Sequence, residues 1–314
     1  MNNNQDFLLS IRLNSYNQEK YIAAAMDSIM MQKVDFPVEV VVGDDFSTDR
    51  TLDIIRTYKD TEFIKIRILE RTAGDAYHVE RKERGRLFNY LYTLRACRGK
   101  YVALLDGDDY WIDPNKLSSQ VKFLEENPDY VMSSHEVYVV RHNAKDSFTS
   151  VPKILRDNFR FGSTGEFLQT LKLGLTFNKE FWQRKVRYSS LPRDYHMSFE
   201  KMLFKRHFMA TSALVIRRSI VDHIPDWWTS LDQGHNSIIL ILLTGGKNYH
   251  FNRFFGVHRL QPSSLSTQKD ITLEIRKNFN KTLTFVLTQL RDRVTEPQRE
   301  AIDRKLLQIS KMNG

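Results

Sequence analysis

The chain has 314 residues, of which 41% are hydrophobic and 27% charged, and these proportions exclude disordered and fibrous classes of protein. Its longest aliphatic run, residues 238–243, is far shorter than the roughly 18 residues that a bilayer span needs, so we expect no membrane-spanning segment. A single cysteine, Cys97, excludes an internal disulfide. Because the N-terminus also lacks a signal-peptide pattern, a cytoplasmic protein is predicted.

The net charge of +9 is concentrated in one segment of the chain. Residues 145–218 hold 15 Lys and Arg against 6 Asp and Glu, whereas the rest of the chain balances, with 32 against 32. A basic segment interleaved with aromatic residues attracts phosphates, nucleic acid or an anionic membrane surface. The same pattern is typical of a solvated surface, so charge alone leaves the partner open.

Strands and helices alternate over the first 140 residues. Apolar runs predict strands at residues 7–13, 38–42, 63–69, 101–105 and 130–140. Helical spacing predicts helices at residues 18–32, 47–58, 86–97 and 115–126, with Ser47 as the N-cap of the second. This alternation predicts an α/β fold with a mainly parallel central sheet flanked by helices.

Beyond residue 140 the alternation ends. Residues 141–206 are predicted to be irregular to helical, 208–216 a strand, 237–244 an apolar helix, and 248–257 a strand or short hairpin. From residue 267 the sequence is polar, with a helical pattern and no strand signal. We therefore expect a helical C-terminal extension.

Acidic side chains follow two of the predicted strands. Asp44 and Asp45 follow one strand, and Asp106, Asp108 and Asp109 follow another. Ligands of parallel sheets bind beyond the carboxyl ends of the strands. Crowded carboxylates repel one another unless a cation is present, and oxygen ligands of this kind suit Mg²⁺ or Mn²⁺ together with substrate phosphates. The second cluster therefore predicts a divalent metal site, against the alternative of a tight turn built from Asp and Gly.

The first acidic pair has two interpretations. One of its carboxylates can accept the imide N–H of a uracil or thymine ring or fix a ribose, or Asp44 can cap the next helix together with Ser47 and Asp49. The sequence contains neither the glycine-rich dinucleotide motif nor the Walker-type phosphate loop. Any phosphates that bind here must therefore be neutralised by a metal ion and by side chains.

A family resemblance lies in three segments in chain order: residues 10–22 (SIRLNSYNQEKYI), 42–51 (VGDDFSTDRT) and 97–117 (CRGKYVALLDGDDYWIDPNKL). Together they resemble glycosyltransferase family 2, whose members are inverting enzymes of the GT-A (Rossmann-like) fold that use nucleotide-diphospho-sugars. Residues 120–128 are similar to the bacterial polysaccharide-type members. The resemblance is strong over residues 7–135 and weaker over 207–266. It implies a metal-dependent glycosyltransferase of bacterial surface polysaccharide synthesis, such as that of capsule or lipopolysaccharide.

The resemblance implies a role for residues at the first two strand ends. Ser15 and Tyr16 match the pair that contacts the nucleoside after the first strand. Asp45, with Asp44 as its neighbour, matches the aspartate that recognises the base. A UDP-sugar is therefore the expected donor.

The resemblance also implies a metal and diphosphate site. Asp106 and Asp108 match the family's two aspartates, of which the first usually meets ribose or metal and the second holds the metal, Mn²⁺ or Mg²⁺. Asp109 can supply a third ligand. Arg259 resembles an arginine that closes over the diphosphate, although a glutamine, Gln261, stands where the family often has a histidine.

The catalytic base is the clearest departure from the family pattern. Counting back from the turn at Gly246 and Lys247, the position of the usual aspartate falls on His235, and Asp232 lies three residues earlier. Three readings stay open: His235 is the base, Asp232 takes its place, or the base is lost. A histidine base with an ordinary pKa of about 6.5 predicts that activity falls as the pH drops through the range of about 6 to 7.

The resemblance divides the chain into three parts. Residues 1–140 form the nucleotide-sugar-binding part of the GT-A domain, 141–266 the acceptor-binding part with a basic helical insertion, and 267–314 the C-terminal extension. The expected acceptor is a saccharide or lipid-linked saccharide, and residues 145–218 are expected to meet the inner face of the cell membrane.

Two other function classes compete with this reading. The first is a non-catalytic nucleotide-sugar-binding protein, suggested by His235 in place of an aspartate. The second is a sugar nucleotidyltransferase, which normally has a basic glycine-rich loop after the first strand. No aromatic RNA-recognition motif is present, so no nucleic-acid partner is expected. The oligomeric state is left open.

Overall fold

The computed structural model describes residues 6–141, 194–204, 209–232, 234–260 and 273–313. The strands in these ranges are β1 (Leu9–Ser15), β2 (Val38–Asp44), β3 (Ile64–Ile68), β4 (Tyr101–Asp106), β5 (Tyr110–Trp111), β6 (Tyr130–Arg141), β7 (Tyr195–Met197), β8 (Val215–Arg217) and β9 (Lys247–Leu260). The α-helices are α1 (Ile22–Met30), α2 (Thr51–Thr57), α3 (Ala76–Arg84), α4 (Arg86–Arg95), α5 (Lys116–Glu126), α6 (Phe199–Phe204), α7 (His235–Leu243), α8 (Leu273–Leu290) and α9 (Glu296–Asn313). Short 3₁₀ segments include Thr211–Ala213 and Asp226–Ser230.

All nine described strands belong to one sheet, in the order β3-β2-β1-β4-β8-β6-β9-β5, with β7 paired to β9. The pairings from β3 through β4 are parallel, whereas β8 runs antiparallel to both β4 and β6. Helices flank this sheet, and the predicted α/β class and the helical C-terminal extension are both confirmed.

The central strands β1, β2 and β4 are mostly buried on both faces because helices cover the sheet on each side, and one face of β1 carries the polar residues Ser10, Arg12 and Asn14. Glu39 of β2 is a buried charge with several partners. Glu39 accepts hydrogen bonds from Ser10 at 2.7 Å and from Arg98, and it forms an ion pair with Arg67. Burial alone would raise the pKa of Glu39, but these hydrogen bonds and the Arg67 charge lower it. The ion network therefore fixes the strand ends opposite the acidic edge.

The strand register places the acidic clusters at one edge of the sheet. Ser15 of β1 pairs with Asp44 of β2, and Asn14 pairs with Asp106 of β4. At this edge β2 also approaches α4 closely, since a Cβ added at Gly43 would lie 1.9 Å from Thr93 Oγ1. Only glycine allows that packing distance. The carboxyl ends of β1, β2 and β4 thus form the floor of one site.

One helix was missed, and two local predictions were wrong. Helix α3 was not predicted, because its apolar positions are few and its sequence is strongly charged. Helix α2 begins at Thr51 rather than at Ser47, because the Ser47 hydroxyl donates to Asp44 instead of capping a helix. In place of the strand predicted over 208–216, the described residues 209–216 contain the 3₁₀ segment Thr211–Ala213 and the beginning of the short strand β8.

The basic segment 145–218 lies mostly outside the described residues, so its predicted membrane contact stays a prediction. Within the described parts of the chain, every helix is too short or too polar to span a bilayer.

Candidate active site

The Asp44 carboxylate shapes the loop after β2. Its Oδ1 atom accepts hydrogen bonds from Ser15 Oγ at 2.8 Å and from Ser47 Oγ at 2.6 Å, and Oδ2 accepts from the Ser47 backbone N–H at 2.8 Å. Asp44 is buried, whereas the neighbouring Tyr16 side chain is exposed. Asp44 and Ser15 therefore hold the loop, and Tyr16 offers an aromatic face to a ligand.

The Asp45 carboxylate forms a bidentate ion pair with Arg81 of α3. The Arg81 Nε–H lies 2.8 Å from Oδ1 and 3.0 Å from Oδ2 of Asp45. Sequence analysis did not identify Arg81, because α3 was not predicted. The basic cluster at residues 81–84 was the signal available for it.

Asp106 is paired with a buried arginine on the adjacent strand. Arg12 Nη2 lies 2.8 Å from Asp106 Oδ1, and the Arg12 guanidinium stacks 4.0 Å from the Tyr90 ring centroid. Arg12 is fully buried, whereas the Asp106 side chain keeps 36% of its surface exposed. Asp106 therefore has one oxygen held by a fixed cation and remains accessible to a ligand. Arg12 was also missed, since its partner Asp106 lies on another strand, 94 positions away in the sequence.

Asp109 is held by three internal donors. Ser212 Oγ donates at 2.7 Å, His258 Nδ1 at 3.0 Å, and the Arg259 backbone N–H at 2.9 Å. Burial alone would raise the pKa of Asp109, but the His258 charge and these hydrogen bonds lower it. For His258, burial alone would lower the pKa, but the charge and hydrogen bond of Asp109, together with the charges of Asp108 and Asp106, raise it to about 9. Asp109 therefore ties β9 to the acidic loop, which is the segment after β4 that carries Asp106, Asp108 and Asp109.

Among Asp106, Asp108 and Asp109, Asp108 is the residue whose pKa is raised by burial and by repulsion from its neighbours. Burial, together with the Asp109 and Asp106 charges, raises the pKa of Asp108 to about 7. Arg259 lies beside this residue, with Nη1 donating to the Asp108 backbone carbonyl at 2.7 Å and its guanidinium 4.4 Å from the Tyr110 ring centroid. The predicted diphosphate arginine and the predicted metal ligand are thus neighbours.

The acidic loop fits a divalent ion that is completed by its substrate. In the described ranges, no group of three or more His, Cys, Asp or Glu side chains surrounds a single metal position. Mg²⁺ and Mn²⁺ are commonly held by one or two carboxylates with substrate phosphates and water. Asp108 needs a neighbouring positive charge, and Asp106 is accessible beside it, so these two residues meet that requirement. Asp109 is already occupied by internal donors.

His235 lies at the start of α7, next to the acidic loop. Its Nδ1 atom is 3.1 Å from Thr211 Oγ1, and the ring also hydrogen-bonds to the Met209 backbone. Ser212, which follows Thr211, donates to Asp109, so consecutive residues of one 3₁₀ segment connect His235 with the acidic loop. Burial and the His258 charge lower the pKa of His235 to about 4.

Asp232 lies one turn before His235 and is exposed. Its backbone carbonyl accepts a hydrogen bond from Arg86 Nη2 at 2.8 Å. Asp232 and His235 line the same cavity. The structure thus brings both candidate bases to one place and leaves both readings open.

Sequence comparison identifies the family. The model of glycosyl transferase family 2 matches residues 10–224. This chain belongs to glycosyl transferase family 2.

Two similar sequences and one similar structure are described next. An uncharacterized protein of Mycobacterium tuberculosis is 42% identical over 140 residues, which cover 44% of this chain and 38% of that protein. The β-1,3-glucosyltransferase WfaP of Escherichia coli, named for UDP-Glc and α-D-GlcNAc-diphosphoundecaprenol, is 31% identical over 151 residues, or 47% of this chain and 53% of WfaP. The structure of Staphylococcus aureus TarS with UDP-GlcNAc aligns with a TM-score of 0.58 at 16% identity, over 96% of this chain and 71% of that one.

The structural alignment confirms the GT-A fold predicted from the sequence. The two sequence matches cover about half or less of the relatives' own lengths.

Proposed function

We propose that the protein transfers a sugar, with inversion, from a UDP-sugar or related nucleotide-diphospho-sugar to a saccharide or lipid-linked saccharide in bacterial surface polysaccharide synthesis. The observation that carries this proposal is the acidic edge of the sheet, where the Asp44–Asp45 and Asp106–Asp109 clusters flank the end of β1. Membership of glycosyl transferase family 2 supports it.

The nucleoside is expected to bind over the loop after β2. Tyr16 offers its exposed ring, and Asp45 accepts the imide N–H of the base. Arg81 occupies both Asp45 oxygens, yet each carboxylate oxygen can accept more than one hydrogen bond. Arg81 therefore orients Asp45 for this contact without blocking it.

The diphosphate is expected to lie over Asp106, Asp108 and Arg259. A divalent ion held by Asp108, with Asp106 beside it, would neutralise the charge that develops on the leaving nucleoside diphosphate. The Arg259 guanidinium, fixed by the Asp108 carbonyl and stacked on Tyr110, supplies a second positive charge at the same place. The ion pair between Asp109 and His258 holds β9 against the acidic loop.

The acceptor hydroxyl is expected to lose its proton to His235, or to Asp232 in its place. The low pKa of His235 leaves its ring neutral over the ordinary pH range, so the ring can accept a proton, but it also makes the ring a weaker base than an ordinary histidine. The oxygen then attacks the anomeric carbon on the face opposite the leaving group, which inverts that centre. The basic segment 145–218 is proposed to bring the enzyme to an anionic membrane face, where each Lys or Arg adds on the order of 1 kcal/mol.

A donor screen with product analysis tests this function. The protein is incubated with Mn²⁺, a panel of UDP-, dTDP- and GDP-sugars and candidate acceptors, and products are identified by mass spectrometry. Transfer with release of a nucleoside diphosphate supports the proposal. Pyrophosphate formation would instead indicate a nucleotidyltransferase, and binding without any release would indicate a nucleotide-sugar-binding protein.

A further inference from the structure

A cavity of about 360 Å³ lies among the four helices α6, α7, α8 and α9. This volume is in the usual range for small-molecule sites, about 300–1,000 Å³. Its wall has an apolar part, formed by Met202, Leu203, Leu240, Phe279, Leu283 and Val286, and a polar part that includes Ser237, Asn278 and Thr282.

The cavity begins at the candidate base. His235 and Asp232 are part of its lining, and His235 is connected to the acidic loop through Thr211 and Ser212. Along α7 the lining changes from His235 and Asn236 to Leu240. Five residues of helix span about 7 Å, so the α7 side of the wall changes from polar to apolar over that distance. On α8, the polar Asn278 and Thr282 stand beside Phe279 and Leu283.

This gradient suits an amphiphilic acceptor. A free saccharide would leave the apolar wall without a complementary surface, whereas a hydrocarbon chain would bury it. Lys305, the one cationic side chain among the described lining residues, supplies a charge for a phosphate that joins sugar to chain. The cavity is partly open to solvent, and its volume is too small for a helix from a partner protein.

The cavity is built mostly from residues outside the family match. That match ends at residue 224, and α7, α8 and α9 all follow it. The site is therefore a property of this chain's C-terminal helices rather than of the nucleotide-binding half.

We infer that this cavity binds the first part of the hydrocarbon chain of a lipid-linked acceptor, with the acceptor hydroxyl at His235. The inference rests on the proposed function and adds the part of the acceptor that is recognised. It also gives the C-terminal extension a role in acceptor selection.

The test is calorimetric titration of the full chain with farnesyl phosphate, in the presence of Mn²⁺ and saturating UDP. Leu283→Trp fills the cavity, and Leu283→Ser makes its wall polar without filling it. Leu307→Trp is the matched control, because Leu307 lies on α9 with its side chain exposed. Glycerol phosphate, which has no hydrocarbon chain, is the ligand control.

We expect farnesyl phosphate to bind wild type and the Leu307 variant equally, and the Leu283→Trp variant at least tenfold more weakly. Leu283→Ser should weaken binding in the same direction and serves if the Trp variant does not fold. Equal binding of glycerol phosphate and farnesyl phosphate, or unchanged binding in both Leu283 variants, overturns the inference. UDP titration of the same samples separates this outcome from failure of the proposed function, which would appear as loss of UDP binding in wild type.

Discussion

The two acidic strand ends of this protein look alike in sequence but differ in how their charges are balanced. After β2, Asp44 is held by serine hydroxyls and Asp45 by Arg81. After β4, Asp106 is paired with Arg12 and Asp109 with His258, while Asp108 is left with a pKa raised to about 7 by burial and its acidic neighbours.

The two clusters therefore differ in whether they need a bound cation. Fixed donors balance the first cluster, which suits a site that recognises a neutral base by hydrogen bonds. In the second cluster Asp106 and Asp109 are each paired with a cationic side chain, whereas at Asp108 burial and the charges of its two acidic neighbours outweigh the His258 charge, which suits a divalent ion that arrives with a diphosphate. The predictions below test this division.

The largest effect is expected for Asp108→Asn. An amide cannot neutralise a divalent ion, so Mn²⁺-dependent turnover should fall by at least about 10²-fold, the scale of losing one electrostatic group at a reacting centre. Steady-state rates with the donor found in the screen measure it. Full activity in this variant, or wild-type activity that survives excess EDTA, contradicts the metal assignment.

The catalytic base gives the next largest effect. His235→Ala should lower kcat by about 10²-fold with nucleotide binding unchanged, since general-base catalysis typically contributes 10²–10⁴-fold. The low pKa of His235 changes the expectation from sequence: the His235-dependent loss of rate should come as the pH falls through about 4, not through the range near 6.5.

Asp232→Asn, measured beside His235→Ala at one saturating donor concentration, separates the two readings. If Asp232→Asn carries the loss and His235→Ala is mild, then Asp232 is the base. If neither variant changes kcat, both assignments fail.

Base recognition at the first cluster gives a smaller effect. Asp45→Ala should weaken UDP binding by about 1–3 kcal/mol, the usual cost of leaving a polar contact unpaired. Calorimetry measures the change, and Asp53→Ala, at an exposed carboxylate on α2, is the control. If the affinity for UDP is unchanged, Asp45 is not the residue that recognises the base.

The smallest effect is a contrast in stability between two neighbouring aspartates. Asp106→Asn leaves the buried Arg12 charge unpaired and should lower the free energy of unfolding by about 1–3 kcal/mol, less than a fully buried pair because Asp106 is partly exposed. A carboxylate whose pKa is raised on folding is destabilising once the pH exceeds its unfolded value, so Asp108→Asn should leave stability unchanged or higher at pH 8 without metal. Urea unfolding of both variants in EDTA measures this difference. Equal losses of unfolding free energy in the two variants would contradict the different charge balance of Asp106 and Asp108.

The sequence predicted the parts of the fold that depend on local pattern. Alternating apolar strands and amphipathic helices identified the sheet, and the acidic residues after β2 and β4 could be placed at one edge because carboxyl ends of parallel strands share an edge. The partners of these acids could not be predicted. Arg12 is 94 positions from Asp106 in the sequence, and His258 is 149 from Asp109, so only the folded chain brings them together.

Arg81 was missed for a different reason. Helix α3 buries a single residue, Tyr77, and most of its other side chains are charged, so its sequence offers few apolar positions from which to recognise a helix. The pKa of His235 was misjudged for a third reason, since burial and the neighbouring His258 charge are properties of the fold.

The measurement that tests the account most directly is calorimetric titration of wild type and Asp108→Asn with UDP, each with and without Mn²⁺. The account predicts that Mn²⁺ strengthens UDP binding to wild type at least tenfold and has little effect on the Asp108→Asn variant, whose metal-free affinity stays close to that of wild type. Equal strengthening by Mn²⁺ in both proteins, or no UDP binding to wild type, would contradict the assignment of this edge of the sheet as a metal-assisted nucleotide-sugar site.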